Sequence, residues 1–435
     1  MKKRILSLLL ALIMVLSLAA CGAQNDTPQT SDTNKQDAET TAGETYMNAE
    51  DSDFFGPIYD EWSEMTDEEL YELAKEEVKT NGPINVYATS SKMKKEEDLF
   101  LEKYPELSVD IMDLDNDEAL EKCVQEANAQ NVQGDVLHVK DVNGDVFFNY
   151  YEEGYMSAFY PKDICAHIDD SLLRYGYPLY ASQSFWYYNT AAFPDGQPIT
   201  SWWQLVEKKE DGSQKYRLFT KEIGAETAYL SLFASFIVNA DQMEQAYKDL
   251  YGTDLEYTYD ASGFDFDVPE NNAGVEFMWR FSQQKMTFIS DGDELVLAVH
   301  NASDPADPAL ALASAGKIEN REESGYNIDW VKNLTPYTGL LSEGNLYVVT
   351  GCKHPAGARL FIRFITGGAD GESGGLKPFT KQGNWAVRDD VEDKKNPATL
   401  EECGVLAPDL AAIHNVYRDA QDLWIYWLSI SPYTK

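Results

Sequence analysis

The sequence predicts an α/β fold, and three observations lead to this prediction. The chain has 435 residues, which is enough for two domains of ordinary size. Hydrophobic residues make up 43% and aromatic residues 12% of the chain, so that two cores can be filled. Between residues 84 and 139, short runs of alternating apolar residues are separated by segments with helical periodicity. Alternating strands and helices of this kind indicate a parallel sheet with right-handed crossovers.

The first residues predict export from the cytoplasm. A basic start, Met-Lys-Lys-Arg, precedes an apolar run over residues 5–18, which is too short to span a membrane. Leu-Ala-Ala then precedes Cys21, and this ending resembles a bacterial lipobox. The resemblance implies that residues 1–20 are a signal peptide and that Cys21 carries the lipid, including palmitate. An ordinary cleaved signal, with Cys21 as a bystander, is the alternative.

The segment that follows predicts a flexible tether. Residues 21–50 are rich in Ser, Thr, Asn, Gln and Asp and have few large apolar side chains. Such a segment cannot bury enough surface to offset the entropy lost on ordering. The net charge of the whole chain is −39, which argues against binding of nucleic acid or of anionic lipid by charge.

Residues 51–82 predict an added N-terminal helix outside the repeating pattern. Thr66 and Glu69 have the spacing of a capping box, and Asn81-Gly82-Pro83 is a stop signal. Apolar residues at helical spacing lie between these two signals.

The alternating pattern itself begins at Ile84. A strand over residues 84–88 is followed by a helix from Ser90 to about residue 103. A second strand follows at 107–111, then a helix for which Asn116 is the expected cap, and a third strand at 134–139. Ligands bind at the carboxyl ends of strands in open sheets of this kind, which here are residues 89–91 and 140–141.

Five stretches, in this order, resemble one family, the extracellular solute-binding proteins of ABC importers. They are PINVYATSS with FLEKYPELSVDI, then GDVLHVKD, YPLYASQSFWYYNTAAF, PITSWWQLV, and PYTGLLSEGNLYVVTGCKHPAGARLFIRFIT. The resemblance covers roughly residues 83–400 and is nearest the ferric-iron, thiamine, polyamine and sugar-phosphate branch. It implies a two-lobed type II periplasmic-binding-protein fold with two interlobe crossings.

The domain boundaries follow from this resemblance. We expect lobe 1 over residues 83–186, lobe 2 over 187–338, and a return to lobe 1 with C-terminal helices over 339–435. The crossings are expected near 186–189 and 337–344. The implied function is that of a lipid-anchored, extracytoplasmic and monomeric binding subunit, without enzymatic activity or cofactor. It would capture one small solute for an ABC transporter permease.

Candidate ligand-binding residues lie at strand ends, at helix starts and at the expected crossings. For each of them, a role in capping, core packing or plain solvation is the competing interpretation. The candidates are Ser90, Ser91, Asp141, Ser182, Gln183, Glu226, Thr227, Asn301, Ser303, Tyr337 and Trp385. Of these, Asn301 and Ser303 are expected to follow a strand with the sequence ELVLAVH.

The sequence gives little support for a metal site or a catalytic site. Asp141, Asn143, Asp145 and Glu152 have EF-hand spacing, but Val146 stands where the loop needs Gly. The histidines lack zinc spacing, and the sequence has neither a nucleophile elbow nor a P-loop.

The sequence leaves three questions open. Cys123, Cys165, Cys352 and Cys403 could form disulfides or stay free. The solute could be a sugar, a sugar phosphate, a polyamine or ferric iron. A surface-anchored carbohydrate-active enzyme and a surface binding protein without a transport role are the rival functions.

Overall fold

The computed structural model describes residues 57–372, 374–392 and 396–433. The predicted signal peptide, Cys21 and the predicted tether therefore lie outside the described residues. The strands are β1 Ile84–Ala88, β2 Val109–Asp113, β3 Val136–Lys140, β4 Met156–Ser157, β5 Tyr177–Ser182, β6 Ser184–Asn189, β7 Arg217–Thr220, β8 Met286–Phe288, β9 Ala309–Ser314, β10 Ile328–Trp330, β11 Gly339–Leu340, β12 Ser342–Val349, β13 Asn384–Trp385 and β14 Val405–Leu406.

Helices cover both sheets. The α-helices are α1 Asp67–Asn81, α2 Ser91–Lys94, α3 Glu96–Lys103, α4 Asn116–Asn128, α5 Lys162–Cys165, α6 Thr227–Val238, α7 Ala240–Tyr251, α8 Ala273–Ser282, α9 Gly292–His300, α10 Asn320–Glu323, α11 Pro355–Ile365, α12 Leu400–Cys403 and α13 Leu410–Ile430. None of the helices in the described part of the chain combines the length and the apolar character needed to cross a membrane.

The fold is built around two larger sheets, which we call lobe 1 and lobe 2 together with the elements packed on them. The lobe 1 sheet has seven strands in the order β13–β5–β12–β3–β1–β2, with β4 beside β12. β1 pairs in parallel with β2 and β3, as the alternating pattern predicts. β12 runs antiparallel between β3 and β5. The lobe 2 sheet has five strands in the order β10–β6–β9–β7–β8.

The chain passes between the two sheets at adjacent places. β5 ends at Ser182 in lobe 1 and β6 begins at Ser184 in lobe 2, so the first passage is at Gln183, before the expected boundary at 186/187. The return lies between β11 and β12, at Leu341, within the expected 337–344. Because Ser342 pairs with Ser182, the two passages are held side by side.

The N-terminal helix α1 is anchored on lobe 1. Its capping box forms as predicted, with the Thr66 hydroxyl accepting from the Glu69 N–H and the Glu69 carboxylate accepting from the Thr66 N–H. The helix ends at Asn81, also as predicted. The buried Arg363 guanidinium of α11 donates to Asp67 of α1 and to both oxygens of Asp163 at 2.7 Å. These bonds tie the added helix to the lobe 1 core.

The C-terminal helix α13 belongs to the lobe 2 core, which corrects the expectation that the chain stays on lobe 1 after residue 339. Trp424 and Trp427 of α13 are fully buried in the same cluster as Trp202 and Phe233 of lobe 2. The other end of α13 touches lobe 1, where His414 contacts the Phe148 ring at 5.0 Å between ring centroids. The helix therefore contacts both lobes.

Two local predictions were wrong. ELVLAVH is part of helix α9, because Asp291 caps it by accepting from the N–H groups of Asp293 and Glu294. Asn116 is the first residue of α4 and not its cap. Its side chain instead bonds the backbone of Lys140, accepting from the N–H at 2.9 Å and donating to the carbonyl at 3.2 Å.

The question of the four cysteines is answered in favour of free thiols. Cys123, Cys165 and Cys403 are buried and Cys352 is partly buried, and all four are unpaired. Burial raises the pKa of the Cys123 thiol to about 11, which keeps it protonated and unreactive at neutral pH.

Candidate functional site

The lobe 1 edge of the candidate site is formed where β1 and β3 end. Ser90 follows β1, and its hydroxyl accepts from the Lys92 N–H at 3.4 Å, which caps the short helix α2. Ser91 is exposed at the start of that helix. The capping interpretation therefore accounts for Ser90, while the Ser91 hydroxyl is left available.

Asp141, directly after β3, is engaged within its own turn. Its carboxylate accepts the backbone N–H groups of Gly144 and Phe147, both at 2.8 Å. Burial raises the pKa of this carboxyl to about 6, against the lowering effect of those hydrogen bonds. The residue thus shapes the loop after β3, where the weak EF-hand match begins.

The two passages between the lobes contribute Ser182 and Gln183. The Ser182 hydroxyl donates to the Ser342 carbonyl at 3.3 Å and so joins the passages to each other. Gln183 is only 4% exposed, yet neither its Oε1 nor its Nε2 has a hydrogen-bond partner among the described residues. A buried amide without partners is costly, because it has lost its water without compensation. Gln183 is therefore a strong candidate for solute contact.

The lobe 2 edge is formed by the start of α6 and the end of β9. Glu226 makes an ion pair with Lys221 at 2.9 Å, and Thr227 is exposed as the first residue of α6. The Ala315 N–H donates to the Gln183 carbonyl at 2.9 Å, so the end of β9 meets the first passage directly. Glu226 and Thr227 therefore lie on the side of lobe 2 where β7 and β9 end.

Three predicted site residues are not brought together with the others, and a fourth, Trp385, lies beside the first passage but is buried in the core. Tyr337 is 5% exposed in the lobe 2 core, with its hydroxyl 2.8 Å from the Ser235 hydroxyl. The buried Trp385 indole donates to the Ala398 carbonyl at 2.9 Å. Asn301 and Ser303 precede β9 and lie at the opposite end of the sheet from Ser314, where β9 meets the passage.

Three lysines that the sequence interpretation did not select come together on lobe 1. Lys140 ends β3, with its Nζ 5.5 Å from the centroid of the Tyr180 ring, and that ring stacks on Phe379 at 5.6 Å. Lys381 follows Phe379 in the chain. Burial lowers the pKa of the Lys92 ammonium, and the positive charges of Lys381 and Lys140 lower it further. We call Lys92, Lys140 and Lys381 the lysine cluster.

Glu343, on the return passage, is a second residue that the sequence interpretation missed. Its carboxylate makes no hydrogen bond or ion pair with a described residue, and desolvation raises its pKa to about 8. Glu343 pairs with Ala181 in the sheet, next to the pair formed by Gly344 and Tyr180. Because side chains alternate along a strand, the Glu343 side chain leaves the sheet on the face opposite Tyr180.

The fold was compared with known proteins. No protein-family model and no curated protein sequence matches this chain. Among solved structures, iron-bound HitA from Pseudomonas aeruginosa matches with a TM-score of 0.55 and 14% identity, over 79% of this chain and 99% of that one. The periplasmic binding protein AfuA from Actinobacillus pleuropneumoniae, with fructose-6-phosphate bound, gives 0.53 and 12%, over 80% and 99%.

A third match is the periplasmic binding protein MotA from A. tumefaciens B6 in complex with glucopine, with a TM-score of 0.51 and 8% identity over 80% of this chain and 99% of that one.

The chain has the type II periplasmic-binding-protein fold. This result confirms the predicted fold class. In a periplasmic-binding-protein fold, two lobes close on a ligand by bending at the segments that join them. In this chain, Gln183 and Leu341 are the segments that join the two sheets.

One group of potential metal ligands lies elsewhere on this periplasmic-binding-protein fold. His167, Asp389 and Asp390 have ligand atoms within 4.8 Å of one another. Asp390 is already held by Arg388 through bonds of 2.9 and 2.7 Å, and His167 Nδ1 is 2.9 Å from Asp389. A surface depression of about 380 Å³ beside them is lined by residues 166–169 and 386–389, all from lobe 1. These contacts explain the group as a surface ion-pair network.

Proposed function

We propose that this chain is the lipid-anchored binding subunit of an ABC importer, which captures one small solute between its two lobes. The observation that carries the proposal is the unpaired, 4% exposed amide of Gln183 at the passage between the lobes. In the closed form of a two-lobed protein, a solute at this place would supply the missing hydrogen-bond partners. The solutes named for the similar structures, iron, glucopine and fructose-6-phosphate, are all small.

The proposal is tested by solute-dependent stabilisation of the full chain purified in detergent. A solute present at about 100 times its Kd should raise the free energy of unfolding by about 2.7 kcal/mol, because it binds only the folded state. Ferric iron, sugars, sugar phosphates, polyamines and thiamine form the panel for thermal unfolding. A solute that stabilises the protein should also reduce its radius of gyration in small-angle X-ray scattering.

Variants separate capture between the lobes from binding elsewhere. Gln183→Ala should abolish the solute-dependent stabilisation, whereas Gln125→Ala, at an exposed position of α4, should leave it intact. Equal stabilisation of both variants would mean that the solute does not bind at the passage.

The lipid anchor is a separate part of the proposal, since Cys21 lies outside the described residues. Cells producing the chain and fed an alkyne-tagged palmitate should label it, and Cys21→Ala should lose the label and release the protein into the medium. Cys352→Ala, which removes another partly buried thiol, should remain labelled and membrane-bound. Labelling of the Cys21→Ala variant would contradict the anchor.

A further inference from the structure

We infer that the captured solute is an anion with a phosphate or carboxylate group, and that the lysine cluster of lobe 1 binds this group. The inference rests on the proposed function and names the chemical class of its solute. It starts from the contrast between a chain of net charge −39 and three lysines gathered at one edge of one sheet.

The lysines occupy one face of the sheet. Lys140 pairs with Gly344, and its ammonium lies over the ring of Tyr180, which faces the same side. Helix α2, which carries Lys92, packs on this face through the buried Met93, in the same cluster as Tyr180 and Phe379. The glycine at 344 is required, because a Cβ there would come within 2.7 Å of His138 and 2.8 Å of the Tyr180 ring.

The lysine cluster lacks the ion-pair partners that the lysines near it on lobe 2 have. None of the three makes an ion pair with a residue in the described ranges, whereas Lys221 and Lys317 on lobe 2 pair with Glu226 and Asp293. Mutual repulsion makes such a cluster unfavourable, and it adds to burial in lowering the pKa of Lys92. A bound anion would remove this repulsion and gain charge-assisted hydrogen bonds.

The Asn384 side chain adds an uncharged hydrogen-bond donor to the lysine cluster. Asn384 pairs with Ser182 across β13 and β5, and Ser182 pairs with Ser342 on the face that Tyr180 also occupies. The Asn384 Nδ2 is enclosed and has no hydrogen-bond partner among the described residues. An amide N–H group of this kind suits the oxygen atoms of a phosphate or carboxylate.

The cluster also lies where the lobes meet. Gly383, between Lys381 and Asn384, touches the backbone of Gly316 so closely that a Cβ would come within 2.1 Å of it. Glu319, in the same lobe 2 segment as Gly316, is close enough to Lys92 to raise its pKa against the effect of burial. The acids Asp141 and Glu343 do not oppose the anion directly. Glu343 leaves the sheet on the face opposite Lys140, and the Asp141 carboxylate is engaged by the Gly144 and Phe147 N–H groups of its own turn.

The test uses isothermal titration of the full chain in detergent with glucose 6-phosphate and citrate as anions, glucose as a neutral solute and putrescine as a cation. We expect binding of an anion, weakened at least tenfold in Lys92→Gln and Lys140→Gln. Lys208→Gln, at an exposed lobe 2 lysine, should change the affinity less than twofold. Raising sodium chloride from 50 to 300 mM should weaken binding to the unaltered chain more than to Lys92→Gln.

The outcomes distinguish this inference from the proposed function. Binding of glucose or putrescine alone, with unchanged affinity in the lysine variants, would overturn the anion inference and support capture of a different solute. Anion binding that is equally strong in all three lysine variants, Lys381→Gln included, would also overturn it. The absence of heat with every solute, together with an unchanged radius of gyration, would count against the proposed function itself.

Discussion

The two lobes present different charges at the edges that face each other. The lobe 1 edge carries Lys92, Lys140 and Lys381 without ion-pair partners in the described part of the chain. At the lobe 2 edge, Lys221 and Lys317 are each neutralised by an ion pair of 2.9 or 2.8 Å. If a solute is captured as we propose, lobe 1 offers unpaired positive charge to it, whereas Lys221 and Lys317 of lobe 2 are already paired within the protein.

Glu222 is the clearest example of a polar group of lobe 2 that is hydrogen-bonded within the protein. This carboxylate accepts from the Trp424 indole at 2.8 Å and from the Gly224 N–H at 3.1 Å. The residue therefore supports the attachment of α13 to the segment before α6. Substitutions at this lobe 2 edge are therefore expected to lower the free energy of unfolding. Single substitutions of the lobe 1 lysines are expected to leave it nearly unchanged.

The largest expected effect comes from removing the α13 anchor. Trp424→Ala should lower the free energy of unfolding by about 3–5 kcal/mol, because it leaves a cavity in the lobe 2 core and removes the indole donor of Glu222. Ile425→Ala, whose side chain is 54% exposed, should change it by less than about 0.5 kcal/mol. Urea denaturation measures both, and equal effects would show that α13 is not part of the core.

A smaller, pH-dependent effect is expected from Glu343 of lobe 1. Its pKa of about 8 in the folded protein lies above the ordinary value of 4.5, so the folded state holds this proton more tightly than the unfolded state. The stability from this group is complete below pH 4.5 and is lost as the pH rises towards 8. Glu343→Gln should remove this loss, which can reach about 1.4 kcal/mol per pH unit.

The measurement compares the pH dependence of urea unfolding in two variants. Between pH 5 and pH 8, Glu343→Gln should gain stability relative to the unaltered chain, whereas Glu153→Gln, at an exposed position, should follow the unaltered chain. Parallel curves for all three proteins would show that folding does not raise the pKa of the Glu343 carboxyl.

The smallest effect is expected from Lys317, one of the two paired lysines of lobe 2. Lys317→Gln breaks an ion pair whose partner Asp293 is 56% exposed, so the free energy of unfolding should fall by about 0–1 kcal/mol. Its effect on anion affinity should stay below twofold, in contrast to the tenfold effect expected for Lys92→Gln. A large loss of affinity in Lys317→Gln would place the anion on lobe 2 and reverse the comparison.

Local sequence signals predicted the parts of the fold that depend on neighbouring residues. The capping box at Thr66 and Glu69 and the end of α1 at Asn81 form as predicted, since each needs only a few adjacent residues. Helix α9 was missed because seven apolar-rich residues fit a buried strand equally well. The signal that could have identified it is Asp291, which caps the acidic first turn of the helix.

The candidate site was less predictable, because its members are far apart in the chain. Lys140 stood at a predicted strand end, but Lys381 follows it by more than 200 residues, and only the pairing of β13 with β5 brings the two near each other. The packing of α13 on lobe 2 could not be predicted for the same reason. Its apolar face is visible in the sequence, but the surface that it covers is not.

Helix α13 has a consequence for biogenesis. Trp427 lies among the last residues of the chain and is fully buried in lobe 2, whose sheet begins at Ser184. Lobe 1 likewise begins before Ile84 and acquires β13 only at Trp385. Neither lobe can complete its core until these late segments have been made, so final folding of both lobes has to follow the synthesis of Trp427. If the chain is exported in an unfolded state, both cores can be completed only after Trp385 and Trp427 have crossed the membrane.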